Sequence, residues 1–416
     1  MDASGAGQRL QGSRGTGVGL AIGVALLCAF AGAARAQGPP LPITGELPVN
    51  QTVAGSQHAP EVGMRDNGTY VVVWRGDVQG SGLDIFSRRF PGDGTAPFNE
   101  SVLNQVTTGD QFAPAIDVNG SGDWIALWTS DQAGQGLRAR KTASGGTVLG
   151  NEFLHSTTTA GSFGSTNASR AEDGSWVGVW FQSAPKARRF DAGGTAVTGE
   201  VSVGTGLTSR SSASVATVAD GGFWIAVTAN DADLKGIYRE RFDDQGLPLG
   251  APELVAESTD NSQTLSDIDA AADGSFVITW TDSLLGSRVR CFATDGAPRS
   301  AEIGLDATGG ETRVAVAKDG AFVAAWTTSG PVAAREFDRA CRPVGDAFDV
   351  PETFISSQQG VDVATSADRF VVVWQGQGAG GDTDNLGVAR RLFLRRSIFA
   401  DPFESANTAA WSAVAP

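Results

Sequence analysis

The feature that most constrains the fold of this chain is a five-residue pattern that occurs seven times. An aromatic residue is followed by three apolar residues and a Trp, as in YVVVW, FVITW and FVVVW. One copy is shifted, with its Trp second and a Val last. The copies begin at residues 70, 124, 176, 223, 276, 322 and 370, so their mean spacing is 50 residues. A regular spacing of this length indicates a repeat architecture.

Each copy belongs to the same larger unit. A Gly stands two positions before the aromatic residue in six copies, and four of these glycines belong to Asp-Gly pairs, which favour hairpin turns. A short alternating strand precedes the turn, as in VATVA at 215–219. A polar loop follows the Trp and leads to a strand ending in Arg and Phe, such as KARRFD at 186–191. A turn and a fourth strand, such as GNEFLH at 150–155, complete the unit. We call the four strands A to D.

Four-stranded units of about 40 to 50 residues are typical of β-propeller blades. Strand B supports this interpretation because VVVW is apolar on both faces, as a strand packed between two blades would be. The strands of a sheet with one solvent-exposed face would instead alternate apolar and polar residues. A β-sandwich would show a period of two units, and a β-solenoid would show a much shorter period. The sequence therefore predicts an all-β fold, a seven-bladed β-propeller of four-stranded blades.

The two ends of the repeat region predict how the ring closes. Repeat 7 has strands A, B and C but no recognisable strand D. The segment GELPVNQTVAGSQ at 45–57 has no blade of its own, and it matches NESVLNQVTTGDQ at 99–111, the end of repeat 1. We expect residues 45–50 to complete blade 7, within a propeller that covers 45–397. Such pairing would remove an exposed sheet edge.

The N-terminus is typical of a secretory signal peptide. Arg9 and Arg14 precede an apolar run at 17–34, and Ala34-Arg35-Ala36 is a small-x-small cleavage site. Cys28 is poorly placed for lipid attachment because Leu27 stands where a small residue is needed. We predict a signal peptide at 1–36, a linker at 37–44 and export to the periplasm, cell surface or medium. The rest of the sequence lacks the run of roughly 18 apolar residues that a membrane helix needs.

The repeat resembles a propeller-like repeat of large secreted and surface proteins of bacteria. The shared pattern is DG-x-F-V-V-x-W, then G-S-G-x-x-I, then R-x-F-D-x-x-G, and the best copy is 71–90. The resemblance covers about 45–395. The tail at 398–416 contains IFADPFESANTAAWS, which is similar to the DGFESG-x-T-x-x-W tails of secreted Gram-negative proteins but has Pro402 and Ala406 in place of Gly. These resemblances imply export and binding, and they assign no catalytic residue.

Charge limits the partners of the exported chain. Without residues 1–36 it has 28 basic and 45 acidic residues, a net charge of −17. Nucleic acid and anionic lipid carry the same sign of charge and are disfavoured. An extracellular or cell-surface protein or glycan remains the expected kind of partner.

No catalytic constellation is recognisable in the sequence. The sialidase Asp-box, the quinoprotein, WD and kelch motifs, H-E-x-x-H and the nucleophile elbow are all absent, and only His58 and His155 follow the signal peptide. We therefore expect a non-enzymatic binding or scaffold protein without a cofactor. The alternative is a glycan-cleaving hydrolase or lyase that uses carboxylates from several blades, which would lie ~5–10 Å apart beside a deep pocket.

The loops between strands B and C vary in length and composition, and loops on a rigid scaffold often carry function. The loops of repeats 7, 1 and 2 are among the longest and would be neighbours in a closed ring. The predicted ligand-binding residues in them are Asp77, Asp131, Asp382 and Asp384. Paired carboxylates also make weak calcium candidates of Asp231, Asp233, Asp382 and Asp384. Cys291 and Cys341, the two cysteines after the signal peptide, are predicted to form a disulfide.

Overall fold

The computed structural model describes residues 38–396, except for 78–81, 132–135, 160, 162, 232–233, 355–357 and 383–384. Within this part of the chain, 28 strands form seven antiparallel sheets of four strands each. One short 3-10 turn, Ala379–Gly381, lies between strands B and C of the last sheet. The predicted signal peptide at 1–36 and the predicted tail at 398–416 lie outside the described residues.

The strands of the blades follow, in the order A to D. Blade 1 is Gln57–Met64, Tyr70–Asp77, Leu83–Phe90 and Ser101–Val102. Blade 2 is Gln111–Val118, Trp124–Ser130, Gly136–Thr142 and Phe153–Leu154. Blade 3 is Phe163–Arg170, Trp176–Gln182, Ala184–Phe190 and Val201–Ser202. Blade 4 is Ala213–Thr217, Phe223–Asn230, Lys235–Phe242 and Glu253–Leu254. Blade 5 is Gln263–Ala270, Phe276–Asp282, Gly286–Phe292 and Ile303–Asp306. Blade 6 is Thr312–Val316, Phe322–Trp326, Ala333–Phe337 and Phe348–Asp349. Blade 7 is Gln358–Thr365, Arg369–Gln377, Leu386–Leu394 and Leu47–Pro48.

The blades form a closed ring with strand A innermost. Strand A of each blade lies against strand A of the next, and that of blade 7 lies against that of blade 1. The N-terminal strand pairs with strand C of blade 7, Leu47 opposite Arg390 and Pro48 opposite Ala389. This arrangement confirms the predicted seven-bladed β-propeller, including its closure by the N-terminal strand.

Strand B is buried on both faces, which explains its unbroken apolar pattern. The final Trp of the pattern is at most 1% exposed in all six blades that have it, and Val227 replaces it in blade 4 with no exposure. The first aromatic residue stacks on the last Phe of strand C in six blades, with ring centroids 4.6 to 5.2 Å apart. Cross-strand aromatic pairs of this kind stabilise a sheet. The recurring aromatic residues are therefore core residues.

The turns between strands A and B show why their glycines recur. The six predicted glycines all have φ between +80° and +88°. A residue with a Cβ atom is strained in this left-handed region, and glycine is not. The glycines lie at positions 68, 122, 174, 221, 274 and 320.

Two repeated side-chain contacts join neighbouring blades at the outer strands. In the first, an Arg of strand C donates to a carbonyl just after strand D of the preceding blade. The donors are Arg88, Arg140, Arg188, Arg290 and Arg391, and the acceptors are Val49, Leu103, His155, Val255 and Val350. In the second, a Glu at strand D accepts a backbone N–H from the preceding blade. The acceptors are Glu100, Glu152, Glu200, Glu302 and Glu46. Both contacts include the N-terminal segment, which is therefore a full member of the ring.

Among the described residues, two boundaries lack both repeated contacts. Between blades 3 and 4, Glu240 of strand C accepts the backbone N–H of Gly204 instead. The boundary between blades 5 and 6 is built differently again. Arg335, the strand C arginine of blade 6, donates to Gly345 of its own blade. Neither repeated contact is found at this boundary among the described residues. A disulfide between Cys291 and Cys341 crosses the same boundary, with Cα atoms 6.3 Å apart. The covalent bond thus crosses a boundary that lacks both repeated contacts, although Arg299 of blade 5 still donates to the Arg339 carbonyl of blade 6 there.

Candidate functional site

A cavity of about 710 Å³ lies on the axis of the propeller. Its walls are the second halves of the seven A strands, and its rim consists of the turns between strands A and B. Nine acidic and three basic residues line it among those that the structure describes. Cavities of this size are where proteins hold small ligands. We take this axial cavity as the candidate site.

Polar residues occur on strand A because it is the free edge of each blade, with backbone N–H groups that the sheet does not satisfy. Carboxylates of one blade accept these N–H groups from the next. Asp267 accepts from Val314 at 3.0 Å and Asp269 from Val316 at 2.7 Å. The same contact links blade 2 to 3 and blade 7 to 1, through Asp117 and Asp362. The carboxylates of the cavity wall therefore also join the inner strands.

Burial changes the protonation of these carboxylates. Removal from water raises the pKa of Asp117 to about 6, of Asp362 to about 7 and of Asp269 to about 8. Burial also raises the pKa of Asp267 and of Glu61, and the charge of Asp362 adds to the effect on Glu61. A protonated carboxyl is favoured where no cation neutralises it. At pH 7 the carboxyl of Asp269 is therefore mostly protonated and that of Asp362 about half protonated, whereas that of Asp117 is mostly ionised.

One arginine offsets part of this charge. Arg313 of blade 6 lies 2.6 Å from a carboxylate oxygen of Glu311, 3.8 Å from one of Glu61 and 4.0 Å from one of Asp362. Its guanidinium thus contacts carboxylates of three blades. Its charge also lowers the pKa of Asp267, and the charge of Arg170 lowers that of Asp117.

The inner strands bulge at the end of the cavity away from the rim. In blades 1, 2, 3, 5 and 7 the pairing of strands A and B is interrupted by a β-bulge. Each bulge contains a residue with positive φ, and four of the five are not glycine. These residues are Ala59, Ala113, Ser165, Leu265 and Gly360. Backbone strain and bulges are concentrated next to functional sites, so this ring of bulges supports the choice of the cavity.

The predicted site lies on the opposite face. The rim of the cavity consists of A–B turns, and the B–C loops lie at the other end of strand B. Asp131 is exposed, and its carboxylate accepts the N–H of Asp110. Asp382 is only 4% exposed, and its carboxylate accepts a hydrogen bond from Asn50 at 3.4 Å. Asp77 is half-buried, and its backbone N–H donates to Ser56. Asp384 lies outside the described residues. A binding role for these residues stays a prediction.

The calcium candidates are placed in part. Asp231 accepts the backbone N–H of Leu234 at 2.9 Å within its own loop. Asp233 and Asp384 lie outside the described residues. Across the part of the chain that the structure describes, no three His, Cys, Asp or Glu side chains come together as a metal site. Calcium binding stays a prediction.

His155 is a residue of the core. It is fully buried, and its ring packs edge-on against Trp180 and at 4.5 Å from the Phe190 ring. Burial lowers the pKa of its imidazole to about 3. The group stays neutral at physiological pH.

Sequence reasoning did not identify the cavity carboxylates. Asp117, Asp267 and Asp269 belong to short stretches that alternate polar and apolar residues, such as SDIDA. In such a pattern the polar residues are expected on the solvent-exposed face of a strand. Their position on strand A could have identified them. Strand A of a propeller faces the axis, so a carboxylate on it lies inside the axial cavity. The ring order that the repeats predict would have placed them around one channel.

Comparisons with known proteins support the fold and go no further. No protein-family model and no curated protein matches the sequence. A solved protein of unknown function from Dyadobacter fermentans is similar over 86% of this chain and 100% of its own, with a TM-score of 0.53 and 12% identity. That likeness is one of fold alone. A structure from a study of two prolyl endopeptidases and one of prolyl oligopeptidase B from Galerina marginata each match with a TM-score of 0.47, at 11% and 10% identity. This chain covers 82% of its own length and 50% of theirs in those matches.

Over the described residues, no helix is both long enough and apolar enough to cross a bilayer.

Proposed function

We propose that this protein is an exported, non-enzymatic binding protein that takes a positively charged group of its ligand into the axial cavity. The observation that carries the proposal is the charge of the lining, nine acidic residues against Arg170, Arg313 and Lys318 among the described residues. A cation inside the cavity would relieve the repulsion between carboxylates and replace the protons they hold. The acidic surface of the exported chain would also attract cationic ligands.

Calorimetric titration of the mature chain with spermidine tests this proposal. We expect binding that is accompanied by proton release, seen as a heat that depends on the ionisation enthalpy of the buffer. The uncharged 1,8-octanediol should not bind. Glu61→Gln should weaken spermidine binding at least tenfold, because Glu61 lines the cavity and no backbone N–H depends on it among the contacts described.

Asp131→Asn is the matched control, since it removes one carboxylate from the B–C loop face. If Asp131→Asn weakens binding and Glu61→Gln does not, the site lies on the loop face and the axial cavity is not the binding site. Absence of any spermidine binding would reject a cationic ligand of this size.

A glycan hydrolase or lyase is the second candidate function. The observation that favours it is the pair Asp117 and Asp269, whose pKa values of about 6 and about 8 suit a base and an acid at neutral pH. Against it, each carboxylate accepts two backbone N–H groups, which leaves it poorly placed to meet a substrate. Cleavage of any member of a polysaccharide panel, lost in Asp269→Asn, would establish the enzyme.

A further inference from the structure

One position of the repeat forms the rim of the axial cavity in all seven blades. It lies in the A–B turn, four residues before the aromatic residue of strand B in blades 1 to 6 and three in blade 7. The residues there are Asp66, Gly120, Glu172, Ala219, Ala272, Lys318 and Ala367, and all seven line the cavity. Four of the seven are Gly or Ala, so the three charged side chains have room to extend over the opening.

The three charged side chains meet. The Lys318 ammonium lies 2.7 Å from a carboxylate oxygen of Asp66 and 2.7 Å from one of Glu172. Lys318 belongs to blade 6, whereas its partners belong to blades 1 and 3. Neither is a neighbour of blade 6 in the ring, so the two ion pairs run across the opening and not around it. We propose that Lys318, Asp66 and Glu172 form an ion-pair gate that closes the rim and must open to admit a ligand.

Gly120 supports this geometry independently. A Cβ atom at Gly120 would lie 2.5 Å from Glu172 Oε2, 3.0 Å from Lys318 Nζ and 3.2 Å from Asp66 Oδ2. Gly120 does not have a positive φ, unlike Gly122 in the same turn, so backbone conformation does not require glycine here. The absence of a side chain leaves space for the three charged groups to converge.

The gate is built to open easily. The side chains of Lys318, Asp66 and Glu172 remain 49%, 52% and 64% exposed. Ion pairs this exposed add little stability and are screened by salt. Salt, or a competing cation at the two carboxylates, would release Lys318. The role in ligand entry rests on the proposed function, but the gate itself can be tested without a ligand.

Carbodiimide labelling of the carboxyl groups inside the cavity measures access through the rim. The folded mature chain is treated at pH 6 with a water-soluble carbodiimide and glycine ethyl ester, and labelling of Asp117 and Asp269 is followed by peptide mass spectrometry. Lys318→Met should raise the labelling rate of both at least threefold. Gly120→Ala should give a similar rise, because the added methyl group forces the charged groups apart without removing any of them.

Lys141→Met is the matched control. It removes a lysine of blade 2 that contacts the Ala192 carbonyl and does not line the cavity. We expect it to label at the wild-type rate. In 0.5 M NaCl the labelling rate of the wild type should approach that of Lys318→Met. The labelling rate of Lys318→Met itself should not change with salt. Equal rates in Lys318→Met and wild type would overturn the gate, and so would a rise in Lys141→Met.

The spermidine titration separates the two proposals. If labelling rises in Lys318→Met while spermidine binds to neither protein, the gate stands and the proposed function fails. If spermidine binds to both proteins and labelling is unchanged in the variant, the gate fails and the binding function stands.

Discussion

Cys341 shows how one residue can take a position that the repeat reserves for glycine. The turn between strands C and D has a glycine with φ between +74° and +97° in blades 1 to 5, at Gly94, Gly146, Gly194, Gly246 and Gly296. Blade 6 has Cys341 there, with φ of +65° and the same hydrogen bond from its N–H to the carbonyl three residues earlier. The side chain that strains this turn is the one that bonds to Cys291.

The cost of that conformation should appear when the disulfide is removed. Cys291→Ala/Cys341→Gly should be more stable than Cys291→Ala/Cys341→Ala by about 1 kcal/mol, because an L-residue in the left-handed region costs about 1–2 kcal/mol. Urea denaturation monitored by Trp fluorescence measures the difference. Cys291→Ser/Cys341→Gly and Cys291→Ser/Cys341→Ala should differ by the same amount, since both carry the same residue at the buried position 291. Equal stability of the Gly and Ala variants would contradict a strained turn.

The disulfide makes a separate prediction for the thiol content of the protein. A chain without the predicted signal peptide at 1–36 has two cysteines, so unreduced and denatured protein should contain no thiol that reacts with a chromogenic reagent. After reduction, the same assay should count two thiols per chain. The same chain carrying Cys291→Ser should show one thiol without reduction. Two reactive thiols in unreduced wild type would rule the bond out.

At the scale of the strand, the N-terminal segment has the same role as a blade's own strand D. It pairs with strand C of blade 7, and Val49 accepts the side chain of Arg88 from blade 1. Its Glu46 accepts the backbone N–H of Glu352 from blade 6. Blades 6, 7 and 1 are thus joined through one short segment.

Removal of residues 38–52 should therefore damage the ring. Strand C of blade 7 would become an exposed edge, and such edges pair with other chains. We expect a lower melting temperature and concentration-dependent aggregation, measured by differential scanning fluorimetry and light scattering. Removal of 38–40 alone keeps every residue that pairs with strand C and is the control. If the 38–52 deletion has the same melting temperature as the chain that lacks only residues 1–36, and stays monomeric, closure contributes nothing to stability.

The sequence predicted the strands and turns well because each repeat has the same residue types at the same spacing. Three features can be recognised from short stretches of sequence, without knowledge of how the blades pack. They are the aromatic pattern of strand B, the turn glycines and the segment at 45–57 that has no blade of its own. The Arg of strand C was visible as part of the repeat, but its carbonyl partner in the preceding blade depends on how blades pack. The rim residues Asp66, Glu172 and Lys318 share one repeat position, yet their contact requires the diameter of the ring, which no spacing reveals.

At the scale of the whole molecule, folding collects carboxylates that are far apart in sequence. Asp117 and Asp269 belong to blades 2 and 5, and the charge of Asp117 contributes to the raised pKa of Asp269. Such groups oppose folding once they are ionised, because the unfolded chain would hydrate each charge separately. A cavity that retains uncompensated carboxylates therefore carries a cost in stability at neutral and alkaline pH, as functional sites often do.

This cost predicts the pH dependence of Asp269→Asn. Burial raises the pKa of Asp269 from 3.8 to about 8, so between these values the folded protein holds a proton that the unfolded chain has lost. The stabilising contribution of the protonated group is full below the unfolded pKa and is lost as the pH rises through the folded one. Asn does not titrate, so its lost hydrogen bond costs the same at every pH. The variant should gain stability relative to wild type as the pH rises from 4 to 8, by at most about 1.4 kcal/mol per pH unit.

Urea denaturation of both proteins at each pH measures this slope, and Asp93→Asn provides a control of opposite sign. Hydrogen bonds from the backbone and side chain of Thr95 lower the pKa of the exposed Asp93. Its ionised form therefore stabilises the fold above the unfolded pKa, and Asp93→Asn should lose stability relative to wild type as the pH rises out of the acid range. A difference between Asp269→Asn and wild type that is constant from pH 4 to 8 would mean that the Asp269 carboxyl is hydrated or neutralised in the folded protein. The acidic lining would then impose no cost for a cation to relieve.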